Sequence, residues 1–419
     1  MTETGGIFRV TDTNSRGYGI IKDNEKIIFA AGAVEGDVCR IEITGEEKNY
    51  LTARITDLIE PSPYRVNPDC PYYGECGGCS LRHAAYETEG EIKKRVVSSA
   101  FRRFGINAKI GNVLCPSPDF YRNKVSFKVD GPRVGFYRKE TNDVVPLDRA
   151  PCKTAPAHFS QIANETAATL CSLNINAEEI AIRSSVSGDL SAVISLKGMP
   201  DSIAELNRFR ENVSSLSVRD TLSKKNVRLF GDGGIRTEAF GLSLFVSDDS
   251  FFQVNYEGAE ILFRVVSSLF DDMNFDLCAD LFCGTGVWGL ALAKRFPDKR
   301  FYGIDLNKSA INDAIRNAER NGIKNIKFYC GDAAMKTEEG IPSAVIVDPP
   351  RAGLHPSMID VLKDLSPDYL VYISCNPFTL ARDAAKMVEF GYRIKCIAPV
   401  NLFPRTEHVE TVVLMSRGG

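Results

Sequence analysis

Leu277-Cys278-Ala279-Asp280-Leu281-Phe282-Cys283-Gly284-Thr285-Gly286 decides the fold of the C-terminal part of the chain. The first half is a short apolar strand and the second a glycine turn. Trp288 to Arg295 then carry apolar residues on one face of a helix, and Phe301-Tyr302-Gly303-Ile304-Asp305 is a second strand ending in an acid. Together they make a parallel βαβ unit. Its glycines let backbone approach a ligand closely, and its acid, about 20 residues on, accepts from ribose hydroxyls. The third glycine of a dinucleotide fingerprint is missing, which argues against a pyrophosphate-bearing cofactor. A short glycine turn with a strand-end acid suits S-adenosylmethionine.

The alternation continues outward. Ser309 to Asn321 reads as a helix, Lys327 to Asp332 as a strand, and Ala344 to Asp348 as a fully apolar strand stopped by Pro349-Pro350. Four successive strands ending in Phe282, Asp305, Asp332 and Asp348 present those residues, with Gly284, at the carboxyl edge of a parallel sheet, where such folds bind ligands. The expected class is α/β, with a Rossmann-like sheet over residues 241–419.

Ser374-Cys375-Asn376-Pro377 follows another apolar strand, Tyr369 to Ile373, and its proline opens a helix from Phe378 to Val388. A carboxylate, Glu410, comes about a strand later in His408-Val409-Glu410. One cysteine, one base and one methyl donor suffice to methylate a carbon that is not itself nucleophilic. A thiolate adds to carbon 6 of a uracil, carbon 5 becomes nucleophilic, and a base removes the carbon 5 proton so that the thiolate leaves. Cys375 and Glu410 fit the two protein roles. The helix N-terminus beside Cys375 is expected to favour its thiolate. An amine methyltransferase is the competing class. It would use Asp348-Pro349-Pro350 followed by an aromatic residue, whereas Arg351 stands there, and it needs no cysteine.

Cys70, Cys76 and Cys79 form C-x5-C-G-G-C. Zinc needs a fourth ligand at similar short range, and no second C-x2-C pair is present. An iron–sulfur cube needs four thiolates, of which one can be remote. Cys115 and Cys152 are the candidates, and Cys152 is favoured because the turn Arg149-Ala150-Pro151-Cys152 can present it. Met1 to Val10 holds no apolar signal segment and no stretch is long enough to span a membrane, so a cytoplasmic, reduced protein is expected.

Residues 1–60 hold five short strands between turn residues (5–10, 19–21, 26–30, 37–43 and 52–58), the pattern of a small closed barrel. That stretch has 7 Lys/Arg and 11 Asp/Glu, so RNA contact there would rest on a few residues such as Arg9, Arg16 and Tyr18. Pro61-Ser62-Pro63 is a linker. Residues 81–140 carry 13 Lys/Arg against 6 Asp/Glu in a chain of net charge −3. Lys93, Lys94, Arg95, Arg102 and Arg103 on one helix, interleaved with Tyr86, Phe120, Tyr121 and Tyr137, suggest a surface for phosphates and splayed bases.

Taken in order, C-x5-C-G-G-C, Asp-Leu-Phe-Cys-Gly-x-Gly, Asp-Pro-Pro-Arg, Ser-Cys-Asn-Pro and His-Val-Glu resemble the RNA uracil-5-methyltransferases over nearly the whole chain. The resemblance implies Cys375 as nucleophile and Glu410 as base. It also implies methyl-donor contacts from Gln253 (in Phe-Phe-Gln-Val-Asn), Phe282, Asp305 and Asp348. Asp305 stands where the family usually has glutamate. The cluster-bearing branch with an N-terminal barrel is similar to enzymes of 23S ribosomal RNA. The resemblance thus implies a TRAM barrel (1–60), a central α/β iron–sulfur and RNA-binding domain (61–240) and a class I methyltransferase domain (241–419). It further implies a [4Fe-4S] cluster on Cys70, Cys76, Cys79 and Cys152, and 5-methyluridine in 23S RNA as product. A monomer that extrudes its target base is expected.

Overall fold

The computed structural model describes residues 3–23, 26–200 and 202–418. Its C-terminal sheet has the strand order Ile326–Cys330, Arg300–Asp305, Leu277–Leu281, Ala344–Val347, Tyr369–Ser374, Glu410–Ser416, Arg393–Val400. The first five are parallel, and Glu410–Ser416 runs antiparallel to both its neighbours. Leu277–Leu281 and Ala344–Val347 are buried at every position, as a sheet covered on both faces requires. Cys278 points into a core with Leu262, Val266, Leu290 and Leu292. Leu277, Ala279 and Leu281 point to the other face, among Leu362, Leu380, Ala384 and Met387. This is the doubly wound, Rossmann-like α/β fold expected from the glycine-turn unit.

Element boundaries shift where caps decide them. Asn307 accepts from the amides of Ser309 and Ala310, so its helix starts at Lys308. The strand expected to run to Asp332 ends at Cys330, and Asp332 sits in a turn, accepting from the Ala334 amide at 2.8 Å.

The glycine turn is tightly constrained. Phe282, Gly284 and Gly286 all have positive φ (65°, 54° and 75°). A Cβ at Gly286 would lie 2.6 Å from the Phe328 ring and 2.9 Å from Ala314. Gly286→Ala therefore combines backbone strain with overpacking and is expected to cost about 1–3 kcal/mol. Denaturant unfolding with an unchanged midpoint would show that the turn tolerates a side chain.

A second seven-stranded sheet has the order Asn226–Phe230, Ser215–Asp220, Leu190–Leu196, Ala177–Ser184, Lys124–Asp130, Arg133–Tyr137, Val144–Pro146. The helix Ala157–Ser172 packs Phe159, Ala163 and Leu170 against Phe127, Ile180 and Ile194 of this sheet. The helix Tyr86–Arg103 does not join it. Its Val97, Ala100 and Phe101 are buried in the same core as Leu380 and Met387 of the C-terminal sheet's helix Pro377–Glu389.

The N-terminal sheet has six strands where five were expected, the addition being Asp12–Thr13. Its order is Glu3–Arg9, Val38–Glu46, Tyr50–Glu60, Ile27–Ala31, Tyr18–Lys22, Asp12–Thr13. Both edges belong to one stretch of chain interrupted at Val10-Thr11, so the sheet curls on itself like a barrel around Ile21, Ile28, Cys39 and Ile41. Among the described residues no helix is long and apolar enough to cross a membrane.

Candidate active site

The register of the antiparallel pair builds the centre of the site. Ser374 lies opposite Thr411. Cys375, one residue beyond Ser374, and Glu410, one before Thr411, therefore emerge side by side at the strand ends. Asn376 caps the following helix by accepting from the Phe378 amide, and Pro377 occupies its first turn. The Asn376 Nδ2 donates to the Arg351 carbonyl at 3.2 Å, and Arg382 donates to the Ala352 carbonyl at 3.1 Å. Buried Asp383 accepts from the Leu354 amide and the Tyr372 hydroxyl. The helix after Cys375 thus holds the loop after Asp348.

Cys375 and Glu410 line a cavity of about 540 Å³ together with Gln253, Phe282, Gly284, Asp305, Asp332 and Asp348. Asp305 is oriented by two backbone donors: the Gly284 amide reaches Oδ2 at 2.9 Å and the Asn307 amide reaches Oδ1 at 2.8 Å. Gln253 sits on a stretch tied to the central sheet, because Asn123 donates its side-chain amide to the Gln253 carbonyl and receives the Val254 carbonyl on its backbone N–H. Sequence reasoning missed two participants. Trp288 donates its indole N–H to Asp348 at 3.2 Å and lines the same cavity. It is the chain's single tryptophan and directly follows the glycine turn, a signal that was available. Asn123 carried no such signal.

The cavity is electrostatically unusual. Burial pushes Asp348 up to about 6, with the Trp288 hydrogen bond opposing. Burial, then the Asp348 carboxylate, pushes Glu410 well above the usual carboxylate range. The expectation of an easily ionised Cys375 is corrected. Burial and then the carboxylates of Glu410 and Asp348 push its thiol up to about 11, only partly offset by Arg351. The helix N-terminus is present, but desolvation and two nearby carboxylates outweigh it.

Cys70, Cys76, Cys79 and Cys152 line a second cavity, of about 90 Å³. Cys115 lies elsewhere, with its sulfur against the Val113 carbonyl. Burial raises the Cys76 thiol to about 11 and Cys79 to about 12, and neighbouring Cys152 adds to both. Among the described residues no group of three or more His, Cys, Asp or Glu side chains is placed to hold a metal ion.

Lys93 and Tyr121 are corrected as members of the expected RNA surface. Lys93 is fully buried, bonded to Glu89, Asn401 and the Phe403 carbonyl. Arg95 pairs with Asp12 and Glu35, and Lys94 donates to Asn112. Tyr121 is buried and donates to the Pro404 carbonyl. Arg102 and Arg103 are exposed at the helix end. Counting charges along a chain does not reveal which of them find partners inside it.

Residues 242–418 match the family model described as tRNA (Uracil-5-)-methyltransferase. Uncharacterized RNA methyltransferases of Clostridium tetani and Staphylococcus aureus are each 30% identical to the chain. They cover 98% of it and 96% of the first protein, and 97% of it and 97% of the second. The crystal structure of Pyrococcus abyssi tRNA (uracil-54, C5)-methyltransferase in complex with S-adenosyl-L-homocysteine superposes with a TM-score of 0.77 at 26% identity, covering 98% of this chain and 99% of that one. A sheet that gathers a thiol, a buried carboxylate and strand-end acids in one cavity, and relatives that match from end to end, lead to the same conclusion: the chain belongs to the RNA uracil-5-methyltransferase family and is an S-adenosylmethionine-dependent RNA methyltransferase.

Proposed function

We propose that the chain methylates carbon 5 of uridine in 23S ribosomal RNA, with Cys375 as nucleophile and Glu410 as base. The observation that carries the reading is the pairing of Ser374 with Thr411, which brings Cys375 and Glu410 out side by side into the cavity lined by Asp305, Asp332 and Asp348. The Cys375 sulfur bonds to carbon 6 of an extruded uracil, and the electron pair moves to carbon 5 and its carbonyl. S-adenosylmethionine supplies the methyl group to carbon 5. Glu410 then takes the carbon 5 proton, the ring double bond re-forms, and the carbon–sulfur bond breaks. A carboxylate held well above its ordinary range is the stronger base for that step.

The assignment to ribosomal RNA rests on the sequence resemblance. Transfer RNA is the second reading, favoured by the whole-length likeness to the Pyrococcus abyssi enzyme. Mass mapping of 23S RNA and transfer RNA from cells lacking the chain separates them. Loss of 5-methyluridine from 23S RNA alone is the expected result, and loss only from transfer RNA would overturn it.

Gln253, Phe282, Gly284, Asp305, Asp332 and Asp348 are proposed to bind the methyl donor. Asp305→Ala is expected to weaken S-adenosylmethionine binding by ~1.5–3 kcal/mol, the scale of hydrogen bonds to a charged group. Calorimetry with unchanged affinity would remove Asp305 from that role.

The rate should rise with pH. Cys375 reacts as thiolate, and below about 11 its ionised fraction grows tenfold per pH unit. Covalent adduct formation with 5-fluorouridine RNA is therefore expected to accelerate from pH 6 to 9. A rate flat across that range would mean that Cys375 is already ionised.

Cys70, Cys76, Cys79 and Cys152 are proposed to hold a [4Fe-4S] cluster. Four thiols line one cavity, the number that an iron–sulfur cube needs. The central domain (61–240) carrying it, a TRAM barrel over 1–60 and the methyltransferase domain over 241–419 complete the proposed organisation. Anaerobically purified protein is expected to be brown with about four irons per chain. A colourless protein holding one zinc would overturn the cluster.

A further inference from the structure

We propose that Arg82 and Arg122 form the cationic half of the four-cysteine centre, donating their inward Nε–H groups to the sulfurs of the bound core and offsetting its negative charge. The inference rests on the cluster reading above. Both guanidiniums line the cavity with Cys70, Cys76, Cys79 and Cys152. In both, the Nε–H is buried and lacks a hydrogen-bond partner among the described residues. The Arg82 side chain is 2% exposed. Its outer edge is fully engaged, Nη1 with Asp69 at 2.9 Å and Nη2 with Asp119 at 2.6 Å. Lys153 pairs with the same Asp69 at 3.0 Å. Arg82 lies beside the Cys79 thiol, and Arg122 lies over the Tyr121 ring, 5.9 Å from its centroid, with Cys152 and Cys79 also near.

A buried, unpaired donor on a charged group is costly, so two of them facing one thiol-lined cavity call for acceptors there. Arg95 and Arg405 also have a buried, unpartnered Nε, but neither lines this cavity. Four thiolates around a core of charge 2+ leave a net charge of about −2, which is expensive to bury without counter-charge. Guanidinium is weakly hydrated and always charged, which suits it to that position. Hydrogen bonds and positive charge at the sulfurs also favour the reduced core.

The test uses the full chain, purified without oxygen, as Arg82→Gln, Arg122→Gln and Arg122→Lys. The readouts are iron and sulfide content, the rate of bleaching by a chelator, and the midpoint potential of the core. The Gln variants are expected to bleach about tenfold faster, as loss of one charged hydrogen bond implies, and to show a more negative potential. Arg122→Lys keeps the charge and should recover most of the potential. S-adenosylmethionine affinity by calorimetry, unchanged in all three, shows that the remainder of the chain is folded. Gln variants with wild-type bleaching rate and potential would overturn the inference and leave the cluster standing. So would an Arg122→Lys variant that binds the methyl donor normally but fails to load iron. A wild-type chain that holds zinc overturns the cluster, and this inference with it.

Discussion

Cys375→Ala is expected to bind both methyl donor and RNA while forming neither covalent adduct nor product, a loss of about 10⁴-fold or more. The side chain is half-buried at the end of Tyr369–Ser374, in a position fixed by the strand and by the Asn376 cap. Removing its sulfur leaves those supports intact, so failure cannot be blamed on folding. 5-Fluorouridine RNA should trap the native chain, because fluorine at carbon 5 cannot leave as a proton does, and it should leave Cys375→Ala unmodified on denaturing electrophoresis. An adduct on Cys375→Ala would transfer the nucleophilic role to another residue.

Glu410→Gln should fail later in the cycle. The amide keeps the side-chain shape and removes the base, so addition and methyl transfer proceed while proton loss slows by about 10²–10⁴-fold. The methylated adduct is expected to accumulate with ordinary substrate RNA and to survive denaturing electrophoresis. Normal turnover would remove Glu410 from the reaction. The two variants thus fail on opposite sides of one intermediate, and no general loss of stability imitates that pair of results.

The C-terminal sheet was legible because its signals are local. An apolar strand, a glycine turn and a strand-end acid occur within one short stretch, and each strand-end acid follows its own strand, so Asp305, Asp332 and Asp348 could be named without knowing the packing. The Cys375–Glu410 association was legible from chemistry, but their adjacency depends on which strands pair, and Glu410–Ser416 lies between two strands that precede it in the chain. The ionisation of Cys375 was not legible. A helix N-terminus is visible in Asn376-Pro377, whereas burial and the approach of Asp348 from another loop are not. The role of Lys93 was hidden for the same reason, since Glu89 is one turn away but Asn401 and Phe403 come from the far end of the chain. Long-range partners, not propensities, decide what such residues do.

The rung that joins Ser374 to Thr411 has an evolutionary consequence. Between them the chain leaves the sheet, forms the helix Pro377–Glu389, returns as the outer strand Arg393–Val400 and loops through Phe403-Pro404-Arg405. The spacing of thiol and carboxylate is set by the register of Ser374 with Thr411 and of Val400 with Glu410. Insertions or deletions in the exposed turn around Gly391 can therefore be absorbed with the chemistry unchanged, provided the register holds. A slip by a single residue would turn Glu410 to the opposite face of the sheet and separate the carboxylate from the thiol. The pairing of thiol and carboxylate is thus inherited as a register, more than as a distance along the chain.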